Sequence, residues 1–458
     1  MIIDMRMKIE EANALVRQSE NLSLKEISQL QAERLRKLVE YACHHSDLFA
    51  GLYAHLKEPY TLQDVPVTDK AFLMAHADGW FTDKELNLAV IRRFLAENTD
   101  PCRKLLDRYS VLTTSGTSGE PMPMVRDESH DSIHAALLNQ RLLKEVGTQI
   151  LNPLEHKIAC VIFTNGKVSS YSSFLKIKKA TNVSDDRAIA ISILDPIPAI
   201  VSRLNDFQPD VLTGYPSVLA DLACEQLNGN LQIHPKMILC SAERMTSEHY
   251  RIMREVYGCP VLNNYCSTEG GEIAMSCSEG HLHLNMDWVI VEPIDARGNP
   301  VPEGELSDTV LVTDLSNFVQ PIIRYKMDDH VRLDYSPCSC GCKLPRIEIF
   351  GRKGGALELC GKALNTLPIS AILAEEKEVV NFQFVQTAED TLEFRSVIPV
   401  LSERDDFIRE RICDRVTWLL EQNGYLKAKV IVSDLPIIKK SRGGKSEYFI
   451  SLAEYRKL

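Results

Sequence analysis

The sequence predicts an α/β protein with a large N-terminal body of several subdomains and a small C-terminal α+β domain. Three observations carry this. From about residue 109 to 350, short β-branched or apolar runs alternate with helical stretches, the pattern of buried, largely parallel strands. Gly351–Gly355 holds three glycines in five residues and reads as a hinge or linker. The 458 residues exceed what one ordinary core holds. The expected division is 1–352 for the body and 353–458 for the small domain.

The elements follow in order. Residues 24–56 read as amphipathic helix, because Leu30, Leu35, Leu38, Val39 and Ala42 recur at helical spacing between charged residues. Asp64–Lys70 is a proline-broken lead into another helix, with Thr68 or Asp69 as its cap. Strands are expected at Ile158–Phe163, Ala188–Leu194, Val211–Leu212, Met237–Cys240 and Val261–Asn263. Residues 284–335 look more β-rich, with Val289–Val291, Thr309–Val312 and Pro321–Tyr325 as strands and turns at Gly298–Asn299 and Glu303–Gly304. Beyond the hinge, helices at Ile369–Glu376 and Asp405–Gln422 alternate with strands at Phe382–Gln386, Thr391–Val397 and Ala428–Val432.

Composition is that of an ordinary soluble globular protein, 45% hydrophobic and 25% charged. A net charge of -11 argues against a broad nucleic-acid surface, while leaving room for a local phosphate pocket. The apolar runs fall short of the roughly 20 residues a membrane span requires. The opening MIIDMRMKIEEANAL turns charged and helical at once, unlike a signal peptide, so a cytoplasmic location is expected. There the 13 cysteines would be reduced thiols. Oligomeric state is not legible, and a homodimer is the base-rate expectation.

The sharpest local signal is Thr113–Thr114–Ser115–Gly116–Thr117–Ser118–Gly119–Glu120–Pro121, directly after the strand-like Tyr109–Leu112. Two glycines let the backbone turn with its amides exposed, and the hydroxyls can donate to phosphate oxygens. The usual mononucleotide loop, G-x-x-x-x-G-K, is absent. The plainer rival, a flexible Ser/Gly linker, fits poorly with the leading strand and Pro121.

With this loop, the chain resembles the adenylate-forming superfamily of acyl-CoA synthetases and adenylation domains. Within it, the chain is most similar to the phenylacetate–CoA ligase and coenzyme F390 synthetase branch. The likeness spans Gln31–Tyr53, VPVTDKAFL at Val65–Leu73, the loop, and QPDVLTGYPSVL at Gln208–Leu219. It continues through LCSAERM at Leu239–Met245, NYCSTEG at Asn264–Gly270, QPIIRYKMDD at Gln320–Asp329 and GRKGG at Gly351–Gly355.

The resemblance implies ATP-dependent activation of a carboxylic acid as its acyl-AMP, then transfer to a thiol. Thr114, Ser115, Gly116, Thr117, Ser118 and Gly119 would hold the β- and γ-phosphates. Ser241, Ala242 and Glu243 would line the adenine slot, and Tyr265 would stack on the base. Thr268 would bond the α-phosphate, Glu269 would help hold Mg2+, Asp329 would accept from the ribose hydroxyls, and Arg352 would sit near the ribose or hinge. The chemistry requires cations where a carboxylate meets an already anionic phosphorus. Lys445, behind Gly443–Gly444 in IKKSRGGKS, fits as the lysine carried in on a loop. The acid is expected to be aromatic, with Phe174, Tyr215 and the stretch His130–Leu143 bordering its pocket. The acceptor stays open between CoA, a phosphopantetheinyl carrier protein and an amine, and a non-catalytic nucleotide-binding protein is the reading from another class.

Cys277-x5-His283 and Cys338-x-Cys340 form two short ligand pairs, and three cysteines with one histidine are a usual closed zinc set. Proteins of the branch carry corresponding segments. Cys342 or His281 could take part instead, and packed free thiols are the alternative. Three positions depart from the family pattern. Met122 stands where a lysine often follows the loop's proline, Asp328–Asp329 replaces Gly-Asp, and Gly354–Gly355 replaces a pair of hinge aspartates.

Overall fold

A computed structural model describes residues 7–98, 100, 102–114, 121–144, 146–164, 168–352, 357–364, 366–376, 378–398, 405–438 and 447–456. The chain forms two units. One comprises Met1–Glu155, Asn165–Ser184 and Leu262–Ile349, the other His156–Thr164, Asp185–Val261 and Phe350–Leu458.

The first unit starts with helices whose ends are written locally. Ser23 and Glu26 form a capping box at the head of Leu24–His45, and Ile27, Leu35, Leu38, Val39 and Ala42 make its buried stripe. The helix expected over 24–56 breaks at Ser46. This residue turns extended, and its hydroxyl caps Asp47–Leu52 and donates to the Gly79 carbonyl at 2.7 Å. Asp69 caps the next helix, Lys70–Ala75. Trp288 and Asp287 anchor this layer: the Arg34 guanidinium lies 3.4 Å over the Trp288 ring, and Arg141 binds both Asp287 oxygens at 2.9 Å. Fully buried, Asp287 stays below the usual carboxylate range because these two arginines outweigh its desolvation.

Strands Ser110–Thr113 and Pro123–Arg126 form an antiparallel hairpin packed with Phe81, Ile91 and Val319. Three antiparallel strands follow: Val289–Ile294, Thr309–Asp314 and Ile322–Met327. A second antiparallel run pairs Val261–Ser267 with Gly271–Ser276, that strand with Leu282–Leu284, and that with Arg346–Arg352.

The parallel strands predicted from buried apolar runs lie in the second unit. Ala188–Ser192, Ile158–Ile162, Val211–Gly214 and Met237–Ser241 are neighbours in that order, all parallel. Helices Ile197–Phe207 and Pro216–Leu227 connect successive strands, each beginning near a proline whose missing N–H costs nothing there. The C-terminal residues build their own sheet in the order Lys429–Val432, Thr391–Val397, Asn381–Ala388, Phe449–Ile450. Helix Asp405–Gln422 lays Ile408, Ile412 and Val416 into the same cluster as Phe384 and Phe394. Each of these side chains contributes about 1.5–3 kcal/mol by burial. The mixed α/β architecture expected from the sequence is present. Among the described residues, no helix is long and apolar enough to cross a membrane.

Candidate active site

The hairpin shapes the neck of the predicted phosphate loop. Thr113 pairs with Pro123, the Thr114 amide donates to the Met122 carbonyl at 3.0 Å, and the Met122 amide donates to Thr114 Oγ1 at 2.9 Å. Thr114 therefore spends its hydroxyl's acceptor capacity on closing the loop. Ser115, Gly116, Thr117, Ser118 and Gly119 lie outside the described residues, as does Lys445.

Within the same unit, the turn at Thr268–Gly271 joins two antiparallel strands. The Gly270 amide donates to Ser267 Oγ at 2.7 Å, and Gly271 has a φ of 63°. A Cβ on Gly271 would fall 2.1 Å from His134 Cε1, so only glycine lets the turn rest on that ring. His134 Nδ1 accepts from the Glu272 amide at 2.9 Å, while Arg126 Nη2 donates to the Thr268 carbonyl at 2.5 Å. Thr268 and Glu269 are half-buried. The Tyr265 hydroxyl donates to Asp329 Oδ2 at 2.8 Å, and Asp329 is buried. Four predicted residues, Tyr265, Thr268, Glu269 and Asp329, are thus set by one strand, its turn and a directly bonded carboxylate.

The Gly271→Ala variant should lose about 3 kcal/mol or more, from a side chain forced into the left-handed region plus displacement of His134. Thermal melts check this. The double variant Gly271→Ala, His134→Ala should lose less than the sum of the single losses, because the smaller residue vacates the space.

In the second unit, Ser241 ends strand Met237–Ser241 and Ala242 takes a φ of 69°, strained for a residue with a Cβ. Glu243 then turns back, its Oε2 accepting from Ser217 Oγ at 2.6 Å. The Ser217 carbonyl accepts from Asn381 Nδ2 at 2.8 Å, and His249 Nε2 donates to Asn381 Oδ1 at 2.7 Å. Burial pushes His249 down to about 4, which keeps its ring neutral in this network. Arg352 closes strand Arg346–Arg352, and its side chain lies outside what is described. Tyr215 and Phe174, the expected aromatic borders of an acid pocket, are both buried.

Cys277, His283, Cys338 and Cys340 bring one ligand atom each within 4.8 Å of one another. His283 donates from Nδ1 to the Leu344 carbonyl at 2.6 Å, and its Nε2 faces Cys340 Sγ at 3.4 Å. Against its burial, the Cys342 thiol and the Leu344 carbonyl push the imidazole up to about 10, so a metal at Nε2 would displace a proton there and keep the Nδ1 bond. Cys340 is pushed up to about 12, by burial and by Cys338 and Cys277 beside it. Cys338 falls to about 6 despite its desolvation, through the Cys340 amide and His281. Without a cation the pair holds one thiolate; a divalent ion would ionise both. The donor set therefore fits zinc. His281 Nδ1 lies 3.4 Å from Cys338 Sγ, and the Cys342 amide donates to Cys340 Sγ at 3.3 Å.

His130, His134 and Asp314 also place ligand atoms within 4.8 Å of one another. Their hydrogen bonds favour a charge network over a metal site. His134 Nδ1 is an acceptor, so its proton sits on Nε2, which faces Ser316 Oγ at 3.0 Å and has no lone pair to offer. His130 Nε2 binds Asp314 Oδ2 at 3.0 Å. Burial alone would depress His130, but Asp314 raises it above the ordinary histidine value, and burial with the neighbouring His130 drives His134 down to about 4. The neutral His134 ring thus backs the Thr268–Gly271 turn, with the His130 ring 4.1 Å from it, centroid to centroid. Arg126 and Asp314 were not singled out from the sequence, and His134 entered only within the stretch His130–Leu143, because their partners lie more than a hundred residues away.

These features define a class. The fold is that of the adenylate-forming ligases: 2-hydroxyisobutyryl-CoA ligase, in its postadenylation state with 2-HIB-AMP, superposes with a TM-score of 0.66 at 18% identity, over 96% of this chain and 94% of that one. In sequence, the chain is 25% identical over 413 residues to a phenylacetate–coenzyme A ligase of Thermus thermophilus, covering 85% of this chain and 84% of that protein. Over 216 residues it is 29% identical to protein CapK of Staphylococcus aureus, a match spanning 46% of each chain, about half the length of that relative. No family model matches the chain. The chain thus has the adenylate-forming fold and is similar over most of its length to a phenylacetate–coenzyme A ligase.

Proposed function

We propose that the chain is an ATP-dependent acid–thiol ligase that activates an aromatic carboxylic acid as its acyl-AMP and passes the acyl group to CoA. The observation that carries this is the single assembly of Tyr265, the Thr268–Glu269 turn and the Tyr265-bonded Asp329. An aromatic face, a hydroxyl and two carboxylates there match the base, α-phosphate, metal and ribose of a nucleotide. The likeness to a phenylacetate–coenzyme A ligase over 85% of the chain supports the acid class and the thiol acceptor.

In the first half-reaction, a carboxylate oxygen of the acid attacks the α-phosphorus and pyrophosphate leaves. Thr114 to Gly119 hold the β- and γ-phosphates, Thr268 bonds the α-phosphate, and Ser241, Ala242 and Glu243 line the adenine. Asp329 receives the ribose hydroxyls, with Arg352 beside the ribose or hinge. Glu269 would hold Mg2+, whose charge would offset that gathering on the phosphates. Lys445 supplies the cation that follows the carboxylate to the phosphorus. In the second half-reaction, a thiolate attacks the acyl carbon and AMP departs with one of the acid's oxygens. Residues 353–458 act as the small domain that exchanges between the two half-reactions, with Gly354–Gly355 in place of the hinge aspartates. Cys277, His283, Cys338 and Cys340 would hold a structural zinc apart from this chemistry.

Pyrophosphate exchange into ATP across a panel of aryl and short aliphatic acids tests the reading, followed by acceptor assays with CoA, a phosphopantetheinyl carrier and amines. Exchange driven by an aryl acid and thioester formation with CoA are expected. Exchange with no acid would end the proposal, and amide or carrier products alone would reassign the acceptor.

A further inference from the structure

We infer that Arg126 is a positioning residue for the phosphate chemistry: it fixes the peptide joining Thr268 to Glu269 against the strand that closes the phosphate loop. This rests on reading the site as nucleotide-binding. Arg126 ends strand Pro123–Arg126, whose hairpin partner leads into the loop. Side chains along a strand alternate, so Met122, Met124 and Arg126 share one face. The two methionines are fully buried packing residues, which makes Arg126 the first cation on that face after the loop. The position usually held by a lysine is Met122, so the loop brings no positive charge of its own there.

Arg126 is 8% exposed, and its guanidinium reaches across 142 residues of sequence to the Thr268 carbonyl at 2.5 Å. That carbonyl belongs to the same planar peptide as the Glu269 amide, so one bond orients the unit between two proposed site residues. Arg126 Nε is buried without a partner among the described residues. Burial raises the Glu272 pKa against the pull of Arg126, and Asp131 is held ionised by His130, Lys176 and Arg126 together. A guanidinium is charged throughout the physiological range. It therefore stands as fixed positive charge behind the turn that faces the phosphates.

The test measures MgATP affinity by calorimetry, and KM for MgATP and for the acid in pyrophosphate exchange, for wild type, Arg126→Gln and Arg126→Lys. Arg126→Gln should weaken MgATP binding at least 10-fold and raise its KM in parallel, leaving KM for the acid within twofold. Arg126→Lys should recover part of the loss, since its ammonium can still donate to the Thr268 carbonyl. MgATP affinity in Arg126→Gln within twofold of wild type overturns the inference, as does an equal rise in both KM values. If Arg126→Gln does not fold, Arg126→Lys alone decides: a MgATP shift with the acid KM unchanged supports positioning, and an unchanged MgATP affinity overturns it. Wild-type protein that binds MgATP yet exchanges with no acid ends the ligase reading only, because affinity still reports on Arg126.

Discussion

Lys445→Ala removes acid-dependent pyrophosphate exchange, lowering its rate by about 10²- to 10³-fold, the usual cost of deleting a group that meets charge developing in a transition state. The size follows from the substrates. A carboxylate approaching a triphosphate brings two anions together, and each step toward the pentacovalent phosphorus increases the charge density. A lysine on a four-carbon stem can follow that charge as a point cation, and Lys445 directly follows Gly443–Gly444 in the sequence. MgATP affinity should change far less, since the contribution is made in the transition state. Lys439→Ala and Lys440→Ala serve as controls and should each alter exchange less than threefold. Exchange by Lys445→Ala within threefold of wild type would assign the cation elsewhere.

The second large effect concerns the cysteine–histidine cluster. Purified protein should contain one zinc per chain by elemental analysis, and Cys340→Ser should abolish it. The loss should destabilise the chain by about 3 kcal/mol or more, because metal binding and folding are linked. Cys277, His283, Cys338 and Cys340 come from separate stretches of the antiparallel region, so one ion ties together segments up to 63 residues apart. Cys342→Ala should retain zinc, since Cys340 meets the Cys342 backbone amide as an acceptor. Zinc-free protein with unchanged thermal stability would leave the four as packed thiols. Exchange activity below the lowered melting temperature should persist in Cys340→Ser, which separates a structural ion from a catalytic one.

Local patterns in the sequence carried a good share of this structure. Helix Asp405–Gln422 and strand Thr391–Val397 match their expected bounds, because both show long, unbroken runs of suitable residues. The break at Ser46 was written in Ser46–Asp47, two good capping residues, but the apolar periodicity on either side masked it. The clustering of Cys277, His283, Cys338 and Cys340 was legible because its members arrive as close pairs. What holds the Thr268–Glu269 turn was not legible. Arg126 and His134 act on it from 142 and 138 residues away, and no spacing rule links a strand-end arginine to a distant carbonyl. The same holds for Asn381, whose amide joins Ser217 and His249 across 164 and 132 residues. Ala242 in the left-handed region is equally opaque, since alanine carries no local preference for it.

The most direct measurement follows oxygen. The acid is labelled with 18O in both carboxylate positions and turned over with ATP, Mg2+ and CoA, and the nucleotide product is weighed by mass spectrometry. Attack at the α-phosphorus predicts AMP carrying one 18O and unlabelled pyrophosphate. Label in inorganic phosphate with ADP as the nucleotide product, or AMP without label, would contradict an acyl-AMP route.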